Sequence, residues 1–262
     1  MFPFFEIFPG VFVYSFGITL TICFFAFVWN LQRLAKRFWY SFSFFTQNIL
    51  WFFLSVFFFS RAFYIAWRWQ DMKFIQDPIQ FFLMNEYSFS IFGAIFWFLV
   101  VLGILTRLER SSISRYIDWI VLSFLFVLVL GYIWSLFWGQ VYGKPTDLGI
   151  EISYTNSYTQ VEYQVPIFPL PIVYAFVSFL IFSGLYILSL FLHIKGFIGY
   201  MWLILFSIMI LIFDSFSGKQ DIISVSSVFN LPQIFSFILL VWSSFKLYSI
   251  FKNKSSSQIE KI

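Results

Sequence analysis

Side chains able to do chemistry are scarce in this 262-residue chain, of which only 11% is charged. The most informative is Arg61, which lies inside an apolar run from about Phe44 to Trp67 with Tyr64 one turn later on the same face. An ionisable group inside a hydrocarbon-length run marks a site by default, although a long arginine near a helix end can also snorkel to the interface. Asp118 and Asp214 stand at the ends of two other runs. Gln140, Lys144 and Glu151 follow the central run, and Glu86 precedes the third. Chemistry on a lipid head group needs a cation for the phosphate and an acid or base near the reacting atoms. Arg61 and Lys144 can supply the first, Glu86 and Glu151 the second. Spacing alone does not bring them together, since they lie on different elements.

Other chemistries are poorly served. Cys23 is the single cysteine and His193 the single histidine, so an intrachain disulfide and a thiolate cluster are excluded, and a zinc or haem site has almost no ligands. No metal and no cofactor is expected. The chain has no Gly-rich phosphate loop, HExxH pair or serine elbow. Its net charge of +4 is spread over the ends of apolar runs, which argues against nucleic acid as a partner.

The elements that must carry these residues are membrane spans. Hydrophobic residues make up 61% of the chain, and the mean hydropathy is +0.87, values that point to an integral membrane protein. The 43 phenylalanines are read as lipid-facing and packing residues. Spans are expected at about Val11 to Leu31, Phe44 to Trp67, Ser90 to Leu105, Asp118 to Lys144, Ile172 to Leu192, Gly199 to Phe213 and Val228 to Leu247. The central one is the best defined, since about twenty apolar or small residues suffice to cross the hydrocarbon layer. Asp118 is expected to cap it at the interface. Residues 1–10 read as an interfacial segment and Tyr142 to Gln164 as a polar loop able to form a small hairpin.

Charge orients the chain. Arg33, Lys36, Arg37, Arg107, Arg110, Arg115, Lys195, Lys246 and the C-terminal lysines flank one set of span ends, where the acids are Glu109, Asp118 and Glu260. By the positive-inside rule those ends are cytoplasmic. The expected fold is therefore an all-α polytopic membrane protein with seven transmembrane helices, N-terminus outside and C-terminus cytoplasmic. Residues 1–250 form one domain with an extracytoplasmic loop at about 142–164, and residues 251–262 a serine-rich, basic cytoplasmic tail expected to be disordered.

The order of these features resembles the prolipoprotein diacylglyceryl transferase family over nearly the whole chain. Tyr14-Ser15-Phe16-Gly17, Ser60-Arg61 with Tyr64, Asp77-Pro78 and Ser90-Ile91-Phe92-Gly93 fall where that family has a Tyr-Gly, a Gly-Arg pair with a tyrosine, an Asp-Pro and a Ser-Phe-His-Gly stretch. The central span aligns without a gap. Gly131, Gly139 and Gly143 are kept, but Tyr132 takes an arginine position, Ser135 and Trp138 two asparagines, and Gln140 a glutamate, while Lys144 keeps only the charge of a final arginine. The family histidine aligns with Phe92. Tyr174 keeps a tyrosine and Ala175 replaces the next glutamate; the arginine of the sixth span falls near Ile210, and Asp214 stands for the acid after it. Pro232-Gln233-Ile234-Phe235-Ser236 is close to a Gly-Gln-x-x-Ser motif.

The resemblance implies transfer of diacylglycerol from phosphatidylglycerol to the cysteine of a prolipoprotein, in a bacterial cell membrane and without a cofactor. It implies Arg61 with Glu86 or Glu151 as the catalytic set, and Tyr64, Gln140, Lys144 and Tyr174 as substrate-binding residues. The partners would be a membrane phospholipid and a prolipoprotein signal segment. The replaced side chains leave open an inactive homologue that binds lipid or peptide or serves as a subunit of a membrane complex. An unrelated seven-span protein is the third possibility.

Overall fold

The computed structural model describes residues 4–8, 11–67, 90–154, 161, 163–218 and 231–259. Their architecture is the expected helical bundle, preceded by one small hairpin. Strands β1 (Phe4–Phe8) and β2 (Val11–Tyr14) pair antiparallel, Phe4 opposite Tyr14. Aromatic and β-branched residues favour that extended pairing. The first helix therefore begins after Tyr14, later than the apolar run suggests.

Eight α-helices follow among the described residues. They are α1 (Ser15–Arg37), α2 (Ser43–Gln47), α3 (Ile49–Trp67), α4 (Ile91–Leu108), α5 (Ile113–Trp138), α6 (Leu170–Phe191), α7 (Phe197–Phe213) and α8 (Leu231–Ile259). Seven of them, all but α2, are long and apolar enough to cross a membrane. The protein is a multi-pass membrane protein.

Local chemistry explains where the helices break. The Asn48 side-chain amide donates to the Phe44 carbonyl at 2.9 Å, and the backbone leaves the helical region there, so the expected second span is divided into α2 and α3. Ser90 caps α4 by accepting the Gly93 amide at 3.4 Å. Gly139 ends α5 at φ 72°, a left-handed conformation that suits glycine, and donates to the Ser135 carbonyl. Pro169 and Pro171 fit the start of α6, where missing N–H groups cost nothing.

Two expectations need correction. α5 starts at Ile113, so Asp118 lies more than a turn inside it and does not cap it. The chain beyond residue 250, expected to be a disordered tail, continues α8 as helix to Ile259.

Helix α5 is the axis of the bundle. It packs against α1, α6 and α7, and α7 also holds α6 and α8, while α3 pairs with α4. Trp119, Leu122 and Leu125 on this long apolar run are completely or almost completely buried. Stacked rings join α3 to its surroundings: Phe45 on Phe52 at 5.1 Å and Phe52 on Phe98 at 5.0 Å. Many other large apolar residues, Phe25, Phe176 and Phe245 among them, are more than 60% exposed, as lipid-facing positions require.

Candidate functional site

The C-terminal ends of α3, α5 and α7 lie with the N-terminal ends of α4, α6 and α8 at one end of the bundle, opposite the short α4–α5 and α6–α7 connections. The contacts bear this out. The Ser90 amide at the start of α4 donates to the Ser60 carbonyl at 3.1 Å, which sets Arg61 level with the beginning of α4. Phe63 of α3 meets Phe235 of α8 edge-on at 4.9 Å, and Phe92 of α4 lies against both Phe235 and Phe206 of α7.

Arg61 is buried, at 6% exposure. An interior guanidinium needs partners for its five donors, and Arg61 is engaged in an interaction here. Tyr64, one turn on, is half-buried; Gln233 in the first turn of α8 is buried. Gly93 makes the α3–α4 approach possible, because an added Cβ would lie 2.6 Å from the Phe63 Cβ. The side chain of Ser236 on α8 is buried, and its hydroxyl has no hydrogen-bond partner among the described residues.

A second cluster lies at the same end. Tyr132 on α5 and Tyr174 on α6 are both buried, with ring centroids 5.1 Å apart. Tyr174 also meets Phe213 edge-on at 6.4 Å. Asp214, the buried residue that ends α7, interacts electrostatically with both tyrosines. Two phenols and a carboxylate are thus drawn together from three helices. The sequence presents Tyr132 as a lost arginine and Asp214 as a span end that stands for a family acid, with nothing local to join the two. The signal that could have joined them was their common level, each within two turns of the same end of its helix.

The segment after α5 folds over this end and is tied to α7. The Lys144 amide donates to the Phe216 carbonyl at 2.9 Å, the Lys144 ammonium to the Ser215 carbonyl at 2.8 Å, and the Gly218 amide to the Tyr142 carbonyl at 2.9 Å. Phe168 stacks on Phe216 at 5.1 Å. Gly143 is required by this closure, since a Cβ there would meet the Phe168 carbonyl oxygen and lie 2.7 Å from its Cβ. Tyr142, Tyr154 and Ile167 form a small core of their own. The expected hairpin takes a different form: Ile152 pairs with Ile167, exchanging two hydrogen bonds of 3.0 Å, and Pro145 also bridges to Ile167. Burial pushes the Tyr154 phenol up to about 12.

The predicted site residues separate as follows. Arg61, Tyr64, Gln140, Lys144 and Tyr174 all lie at the capped end of the bundle. Gln140 is half-buried and engaged in an interaction; Lys144 is exposed, with one of its three donors given to Ser215. Glu151 is exposed and accepts locally from the Gly149 amide at 3.4 Å. Glu86 and Asp77 lie outside the described residues. Among the described residues no group of three potential metal ligands occurs.

Comparison with known proteins agrees with this layout. The family model described as prolipoprotein diacylglyceryl transferase matches residues 3–248. No curated protein sequence matches the chain.

Proposed function

The chain belongs to the prolipoprotein diacylglyceryl transferase family, and from that premise we propose that it moves diacylglycerol from phosphatidylglycerol to the cysteine of a prolipoprotein in a bacterial cell membrane. A diacylglyceryl transferase-like role in lipoprotein biosynthesis is what the family supports. The finer reading rests chiefly on one observation: Arg61, a cation buried at 6% exposure, lies at the bundle end that also holds Tyr174 and the segment around Lys144.

In this reading the head-group phosphate is held by Arg61 and Lys144, with Tyr64, Gln140 and Tyr174 orienting the glycerol and Glu86 or Glu151 assisting thiol deprotonation. The cysteine sulfur attacks the diacylglyceryl carbon next to the phosphate oxygen. A C–S bond forms, the C–O bond breaks, and its electron pair departs with glycerol phosphate while the thiol proton passes to the base. A cation on the phosphate stabilises the leaving charge. Acyl chains lie against exposed aromatic helix faces such as those carrying Phe176 and Phe179. In this reading the face of the bundle with Arg61 lies outside the cytoplasm, and the charge asymmetry of the span ends supports that orientation.

A second reading is favoured by Tyr132. Where the resemblance places an arginine, a buried phenol packs on Tyr174, and Gln140 stands for a glutamate. A neutral aromatic ring in that space removes a phosphate-binding cation. The same fold would then bind lipid or a signal helix without transferring anything. Incubating the purified chain in phosphatidylglycerol membranes with a lipobox peptide and its serine control separates the two. A cysteine-dependent gain of one diacylglyceryl mass supports transfer; lipid or peptide binding without that gain supports the inactive form.

A further inference from the structure

The opposite end of the bundle carries a pocket that the transfer reading does not use. It is a cavity of about 350 Å³ between the end of α4, the α4–α5 connection, the start of α5, the first turn of α7 and the C-terminal part of α8. Arg107 from α4 and Lys246 from α8, both exposed, line it. Among the described residues, neither cation has a carboxylate partner. Ser112 and Ser249 add hydroxyls on opposing walls.

The floor is the N-terminus of α5. Ser112 occupies the capping position, but its side chain does not cap, so the first amides of α5, whose residues Ile113 and Ser114 line the cavity, lack the usual side-chain acceptor. The positive end of a 26-residue helix, two cations from different helices and two hydroxyls therefore converge on one cavity. Every one of these groups can donate, and the wall holds no acid. The volume falls within the range of ligand pockets.

We propose that this cavity binds a phosphate group, carried by an anionic phospholipid head group or by a soluble phosphate. Donors from two cations and helix amides match the oxygens of a tetrahedral oxyanion. Its location at helix ends, between transmembrane elements, is where basic pockets take lipid head groups. The site is separate from the transfer reading and stands or falls independently of it.

The test uses the full chain in detergent. One arm titrates phosphatidylglycerol against a phosphatidylcholine control and follows bound lipid by native mass spectrometry; the other titrates inorganic phosphate by calorimetry. Both are run in an Arg61→Ala background, which removes the head-group cation assigned to the other end. The double variant Arg107→Ala/Lys246→Ala is expected to weaken binding at least tenfold in one arm, whereas Lys36→Ala/Lys195→Ala, which removes the same charge nearby, does not. Loss in the lipid arm assigns a head group, and loss in the phosphate arm a soluble ligand. Undiminished binding in both arms, or an equal loss in the control pair, overturns the site. If removing both cations prevents folding, Ser112→Ala/Ser249→Ala is the substitute. It should weaken binding about threefold, and no change would count equally against the proposal.

Discussion

The Asp118 carboxylate on α5 accepts the backbone N–H of Gly199 at 2.8 Å through one oxygen and that of Gly196 at 2.6 Å through the other. It therefore satisfies the N-terminus of α7, a helix 78 residues further along the chain. Two glycines allow the approach: Gly196 sits at φ 86°, and a Cβ on Gly199 would lie 2.6 Å from an Ile117 methyl. Asp118→Ala should leave those amides without their acceptor and lower stability by about 2 kcal/mol. Asp118→Asn, which keeps one acceptor, should lose about half as much. Denaturation midpoints in detergent measure both, and an unchanged Asp118→Ala midpoint would exclude this tie.

That link shows what a sequence can and cannot disclose. The seven spans were legible because apolar length is a local property of the chain. An acid at the end of an apolar run signals a cap just as clearly, but not which helix it caps. Tyr132, Tyr174 and Asp214 were separately visible, yet their convergence depends on how three helices pack. The division at Asn48 and the strands at Phe4–Phe8 and Val11–Tyr14 were masked by the same aromatic residues that made those runs look like continuous spans.

Two glycines kept in the resemblance should behave oppositely to a third from α5. Gly93→Ala and Gly143→Ala place a Cβ against Phe63 and Phe168 respectively, and overpacking of this kind costs about 1–3 kcal/mol. At Gly131 an added Cβ meets nothing within 4 Å. Gly131→Ala should hold or raise stability by up to about 1 kcal/mol through helix propensity. If it instead abolishes lipid binding in a stable protein, a ligand comes against that part of α5.

Arg61→Ala should insert into membranes at normal levels and lose head-group binding by roughly 10- to 100-fold, the value of one or two charge-assisted hydrogen bonds. Binding of phosphatidylglycerol to the purified variant is the readout. Wild-type affinity would remove Arg61 from the site.

Tyr154 supplies a test by pH. Its hydroxyl is buried without a hydrogen-bond partner among the described residues, and burial raises its folded-state value from 10 to about 12. The folded form thus holds the proton more tightly than the unfolded one. The contribution is complete below pH 10 and is lost as the pH rises towards 12. Tyr154→Phe should flatten the stability profile in that window and be neutral or stabilising below it, since an unpaired polar group is removed. Unfolding midpoints between pH 8 and 12 would show this, and a parallel decline in both proteins would contradict it.

The contacts at the two sides of the Arg61 end differ in what a bilayer can replace. Around α5, α6 and α7, backbone and ammonium hydrogen bonds bind the segment from Tyr142 to Phe168 to the turn at Ser215–Gly218, and hydrocarbon offers no substitute for those. Between the α3–α4 pair and α7–α8 the described ring contacts are Phe92 with Phe206, and Phe63 and Phe92 with Phe235. Acyl chains give phenylalanine much the same dispersion energy as another ring does. Those rings are therefore the contacts at this end whose packing energy acyl chains can match, whereas the backbone and ammonium ties around Lys144 have no such replacement in hydrocarbon.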